Sequence, residues 1–190
     1  MAAEVKPPPV DPRFELRLGA LLITLAHSCD LLSTYLRTPD LAREVGPTYV
    51  FLASHGLGGW ACICAIKGVA VLLSIALFAF YVYTRRAFYP AAPGLSFHDF
   101  LHHTHSVRAI RRRGGEWVMP SPRLLAIWSA FTLAIGSAAY ACFLSVHNMW
   151  GTHLLAQVAT NVVPAIIFVV TAVVFWHSLY DDYQRLVVAA

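Results

Sequence analysis

Four uninterrupted apolar runs constrain this chain more than any motif in it: Leu18–Leu36, Leu57–Thr84, Leu124–Val146 and His153–Leu179. About 20 helical residues cross the roughly 30 Å of hydrocarbon in a bilayer, and each run supplies that length. Inside lipid every backbone polar group must be paired within the structure, so runs this long have to be helices. Composition agrees, with 58% hydrophobic and 13% charged residues against about 45–50% and about 25% in soluble domains. The sequence therefore predicts an all-α integral membrane four-helix bundle occupying residues 13–190. Its spans fall at about 18–37, 57–84, 124–146 and 153–179, and no soluble domain is left over. Residues 1–12, with Pro7, Pro8, Pro9 and Pro12, form a Pro-rich extended tail. The first run lacks a signal-peptide cleavage site and is read as retained.

Arg and Lys placement orients the bundle. The loop between the second and third runs, with its flanks, carries Arg85, Arg86, Arg108, Arg111, Arg112, Arg113 and Arg123, whereas the loop between the third and fourth carries only histidine as a titratable group. The N-terminal side adds Lys6, Arg13 and Arg17. Both termini and the middle loop are expected to be cytoplasmic, in the inner membrane of a bacterium. There Arg108, Arg111, Arg112 and Arg113 meet anionic headgroups, which explains the formal charge of +4 better than nucleic acid does. The four cysteines all fall in predicted spans, so neither a disulfide framework nor a zinc ribbon is indicated.

Within the middle loop, Ser96-Phe-His-Asp99 has the form of a capping box and Gly114-Gly115 a stop. Phe97, Phe100, Leu101, Val107 and Ile110 then share one face, predicting an amphipathic interfacial helix over about 96–113. A second short helix is expected where Pro47 opens the apolar stretch TYVFLAS, followed by a bend at Gly56, Gly58 and Gly59.

Lys67 is the anomaly among the spans. An ammonium inside a bilayer needs a partner or a watery cavity, and Asp30, in the first span, is at a compatible depth. Asp30 is roughly 10 Å and Lys67 roughly 15 Å from the outer ends of their runs at 1.5 Å per residue. His27 and Thr34 share the stripe of Asp30, while Gln157 and Asn161 fall in the outer half of the fourth span. Two readings stay open for His27, Asp30, Thr34, Lys67, Gln157 and Asn161: an ion pair fixing helix packing, or a site for a proton, cation or small polar ligand. The third span carries Ala130, Ala134, Ala138 and Ala141, a small-residue seam that admits a neighbouring helix closely.

The histidines pose two further questions. His98, His102 and His105 form a stripe able to hold a metal ion, and His98-Asp-Phe-Leu-His102-His103 resembles one histidine box of the membrane fatty-acid desaturase and hydroxylase superfamily. That chemistry requires three boxes, and the other histidines do not supply them. Haem between His27 and one of His55, His147 or His153 is the second possibility. No cofactor is predicted outright, and no hydrolase motif is present.

Asp30-Leu-Leu-Ser33-Thr34, Glu44-Val-Gly-Pro47, the His55-Gly56 pair, Trp60 and Lys67 together resemble a family of small bacterial membrane proteins catalogued as a domain of unknown function. Its signature is similar to D-x-x-S/T-T, E-x-N-P and a lysine in the next span; Gly46 stands where that family has Asn. The resemblance implies that Asp30, Thr34, Glu44 and Lys67 form the shared site, and it implies no activity. The leading expectation is a non-enzymatic accessory or structural subunit packing against a larger membrane complex. The alternatives are a binding or transport protein using the outer-half cluster, and a haem- or metal-binding redox protein.

Overall fold

A computed structural model describes residues 11–41, 47–86, 94–105, 108–112, 115–119, 122–150 and 153–186, with the backbone alone given for 47, 86, 102–105, 108–112, 115–119, 150, 153–161 and 186. Four long helices form the bundle: α1 (Pro12–Arg37), α3 (Trp60–Arg86), α5 (Pro122–Trp150) and α6 (His153–Leu186). Each is long and apolar enough to cross a membrane. Two short helices, α2 (Pro47–Ser54) and α4 (Phe97–His105), occupy the first and middle connections. A hairpin of β1 (Arg108–Arg112) and β2 (Gly115–Met119) follows α4. The protein is thus an all-α multi-pass membrane bundle carrying one small antiparallel ribbon.

Helix α1 starts where the sequence provides a start. Asp11 caps it by accepting a hydrogen bond from the Arg13 amide at 2.9 Å, and Pro12 occupies the first turn, where a missing N–H costs nothing. Its buried residues are Gly19, Ile23, Ala26, His27, Asp30, Ser33 and Thr34, one stripe at helical spacing. The polar members of that stripe therefore face the bundle and not lipid.

On α5 the buried seam runs Leu124, Ile127, Phe131, Ala134 and Ala141. Alanines at Ala130, Ala134 and Ala141 let α5 sit centrally, packed against α1, α3 and α6. Helix α6 lies mainly along α5 and reaches α3 through side chains near Arg85. Tyr81 Oη and Ser178 Oγ are 3.1 Å apart.

The aromatic core lies in one half of the bundle, the half that ends at Arg85. Phe78, Tyr81, Phe131 and Phe175 interlock there, with ring centroids 4.7 Å apart for Tyr81–Phe131 and 5.8 Å for Phe131–Phe175. Gly19 lets α1 approach α3 closely at this level, since a Cβ there would overlap the Phe78 ring.

Two expectations for the middle loop need correction. The helix predicted over about 96–113 ends at His105, and Arg108, Arg111 and Arg112 belong to β1, whose residues pair with β2 from Arg108↔Met119 to Arg112↔Gly115. Only two residues separate the strands, the spacing of a tight hairpin. Nor does the apolar face of α4 lie open to a membrane. Phe100 is fully buried, Phe97 packs edge-on to Tyr180 and Tyr183, and Tyr183 Oη donates to the Leu95 carbonyl at 2.9 Å. The expected cap is present: Ser96 Oγ accepts from the Asp99 amide at 3.1 Å and donates to its carboxylate at 2.7 Å.

The short helix at Pro47 forms as expected, and the bend after it uses Gly56 and Gly59 at φ of +79° and +94°, angles at which a side chain is strained. Helix α3 consequently begins at Trp60 and not Leu57. Lys67 then lies seven residues inside, about 10 Å from the helix end and not 15 Å, the same depth as Asp30 below Arg37.

Candidate intramembrane site

Asp30 and Lys67 meet: Lys67 Nζ donates to Asp30 Oδ2 across the α1–α3 contact. The two ends of this pair differ in environment. The Asp30 side chain is 2% exposed and that of Lys67 26%, so the carboxylate belongs to the interior while the ammonium reaches the edge of a groove. Ser33 Oγ and Thr34 Oγ1 each donate to the Asp30 carbonyl at 2.9 Å. Thr34 thus joins the cluster through the backbone of Asp30 and not through its carboxylate.

The groove has a volume of about 340 Å³ and opens between α1 and α3. His27, Ser28 and Leu31 line it from α1, and Cys64, Lys67 and Gly68 from α3. Gly68 is exposed and has no atom within 4 Å of where a Cβ would stand, so it leaves the groove floor open beside Lys67. His27 is 7% exposed, and both ring nitrogens are buried without a hydrogen-bond partner among the described residues. An imidazole carries one donor and one acceptor when neutral, and leaving such atoms unpaired in an apolar setting costs about 1–3 kcal/mol.

A second polar residue of this half was not anticipated. Asn148, on α5, donates from Nδ2 to Ser33 Oγ and Thr34 Oγ1, both at 3.2 Å, and accepts from Arg37 Nη1 at 3.2 Å. Its position was legible: Ala134, Ala141 and Asn148 follow one another at seven-residue spacing on the α5 seam, which keeps them on one face. The amides that were expected, Gln157 and Asn161, have side chains outside the described residues, as do His102, His105, Arg108, Arg111 and Arg112. Glu44 and Arg113 lie outside the described residues altogether.

Among the described side chains no histidine other than His27 lines this groove. His98 is exposed beside Asp99 at 3.8 Å, His55 Nδ1 is 2.8 Å from the Phe51 carbonyl, and His147 stacks on Phe143. Among the described residues no three His, Cys, Asp or Glu side chains converge.

The opposite end of the bundle holds an ion cluster that sequence reasoning assigned to topology alone. Arg85 Nη2 donates to Glu15 Oε2 at 2.9 Å, and Nε lies 3.3 Å from Asp182 Oδ2. Nη1 reaches Tyr81 Oη and Ser178 Oγ, and the guanidinium sits 4.6 Å from the Tyr81 ring centroid. One cation thereby ties the start of α1 to the ends of α3 and α6, and places both ends of the described chain at the same end of the bundle.

No family model matches the chain, and neither a curated protein nor a solved structure matches it.

Proposed function

We propose that this multi-pass membrane protein is a non-enzymatic binding protein whose site is the Asp30–Lys67–His27 groove between α1 and α3. The single observation that carries the proposal is the Asp30–Lys67 pair inside the spans, whose 26% exposed ammonium side chain lines an open groove together with His27. A purely structural pair would be packed like Arg85, closed on every side. Ionisable groups within a span are rare, face the bundle interior and point to ligand or ion paths by default. The Arg-rich middle segment supports an orientation with both termini and the hairpin cytoplasmic, against anionic headgroups. The groove then lies in the outer half.

The test is native purification followed by mass spectrometry of bound small molecules. Wild-type protein is expected to carry a bound species that is absent from Asp30→Asn protein of unchanged helix content. Unfolding of Asp30→Asn, with nothing bound to wild type, would make the pair structural. Reporter fusions at each terminus check the orientation.

One observation favours the accessory-subunit reading as a second role. Helix α6 leaves Val169, Val170 and Val173 more than half exposed, along with Ile166, a face that lipid or a partner helix covers. Stoichiometric co-purifying chains would support it, and a partner-free monomer would remove it.

A further inference from the structure

The β1–β2 hairpin has two chemically unlike faces. In an antiparallel ribbon residues alternate between faces along each strand, and directly opposed residues share a face. The register Arg108↔Met119, Ile110↔Trp117 and Arg112↔Gly115 therefore collects two arginines, Ile110, Trp117 and Met119 on one face, with no carboxylate among them. The other face holds Ala109↔Val118 and Arg111↔Glu116, where directly opposed unlike charges attract and cancel. One side of the ribbon is cationic and apolar, and the other has no net charge.

Covalent tethers limit where this ribbon can lie. Two residues separate His105, at the end of α4, from Arg108, and two separate Met119 from Pro122, at the start of α5. Three Cα–Cα steps of 3.8 Å reach at most about 11 Å, so both ends of the ribbon stay beside the bundle. Phe100 of α4 and Leu124 of α5 belong to one buried core with Tyr183. The tethers thus start from the end of the bundle that Arg85 closes, where the candidate spans stop at Arg85 and Arg185 and begin at Pro122. The ribbon also needs a support. A two-stranded hairpin alone is marginal in water, and no described helix makes more than a slight contact with either strand. A bilayer surface offers what the first face requires: phosphate oxygens for guanidinium groups and an interfacial layer that favours Trp and aliphatic residues. We propose that the hairpin docks flat on the adjoining leaflet through the face of Arg108, Ile110, Arg112, Trp117 and Met119, binding anionic phospholipid headgroups, with the Arg111↔Glu116 face turned to water. This rests on the headgroup contact of the reading above and not on the groove, and it separates Arg108 and Arg112 from Arg111 within one basic segment.

Single nitroxide labels at Ala109→Cys, Ile110→Cys, Val118→Cys and Met119→Cys test this, in the whole chain with its four native cysteines replaced by alanine. The protein is held in nanodiscs of phosphatidylcholine with or without phosphatidylglycerol. With phosphatidylglycerol, labels at 110 and 119 should be open to oxygen and shielded from a water-soluble nickel chelate, and labels at 109 and 118 the reverse. At native helix content, Arg108→Gln/Arg112→Gln should expose the label at 119 to the chelate, as should pure phosphatidylcholine, whereas Arg111→Gln should leave it shielded. Four labels equally open to the chelate would overturn docking, and four equally shielded would mean that protein covers both faces, which overturns it too. Exposure by Arg111→Gln matching that of the double variant would overturn the face assignment, and unchanged shielding in pure phosphatidylcholine would overturn the anionic headgroup. Reporter fusions keep the failures apart: cytoplasmic termini with exposed labels remove the docking alone, and external termini with the expected labels remove the orientation alone.

Discussion

The two halves of the bundle handle buried charge in opposite ways. At one end Arg85 is held by Glu15, Asp182, Tyr81 and Ser178, its side chain 8% exposed, above a core of interlocked aromatic rings. In the other half Lys67 has, among the described residues, a single carboxylate partner, with a 26% exposed side chain and an open groove beside it that His27 also lines. Glycines mark the same contrast. Gly19 is there because Phe78 fills the space a side chain would need, whereas Gly68 faces space that nothing fills. A cation closed on all sides fixes helix positions, whereas Lys67 is left half open to the groove.

The sharpest way to break this comparison is at Arg85. Arg85→Ala strands two carboxylates near the end of the bundle, and removing one partner from a buried ionic cluster costs about 3–5 kcal/mol. Thermal unfolding in detergent should show that loss, with Arg85→Lys recovering part of it; an effect as small as that of a surface pair would deny the tie its structural role.

Next comes the pair of glycines. Gly19→Leu forces the Phe78 ring aside, an overpacking cost of about 1–3 kcal/mol, relieved by adding Phe78→Ala. Gly68→Leu should leave the melting temperature near wild type, because its side chain enters the groove. Equal damage from the two substitutions would mean the halves are packed alike.

Asp30→Asn should cost only about 1–2 kcal/mol, since the half-open Lys67 retains access to polar surroundings and pairs of partial exposure are worth less than closed ones. A loss matching that of Arg85→Ala would make the two ion pairs equivalent and undo the contrast.

His27→Leu has the smallest effect and the opposite sign. Replacing buried nitrogens that have no partner among the described residues by apolar carbon should raise stability by about 1 kcal/mol. A destabilised His27→Leu would mean the imidazole makes a structural contact.

Much of the fold was legible in the chain before any tertiary structure. The end of α1 at Arg37 was legible from the apolar run, whereas Pro12, read as tail, proves to be its first residue, capped by Asp11; α2 followed from Pro47. Asp30 and Lys67 were matched as the intramembrane charges of similar depth. The helix expected over 96–113 was overextended because its apolar spacing continued into Val107 and Ile110, while the two-residue separation of alternating strands, a hairpin signal, went unweighted. Arg85 was counted as a topology charge, since its partners Glu15 and Asp182 lie 70 and 97 positions away in sequence and nothing local announces them.

Taken alone, then, the sequence determined the number of spans, their approximate extents and the presence of two intramembrane charges. These follow from local quantities: hydrophobic length, helical period, caps and breakers. Only the tertiary structure decided that Arg85 closes one end, that Asp30 and Lys67 meet across α1 and α3, and that His27 and Lys67 line one groove. Those outcomes depend on how side chains from distant helices fill, or fail to fill, the same volume, and no one helix carries that information.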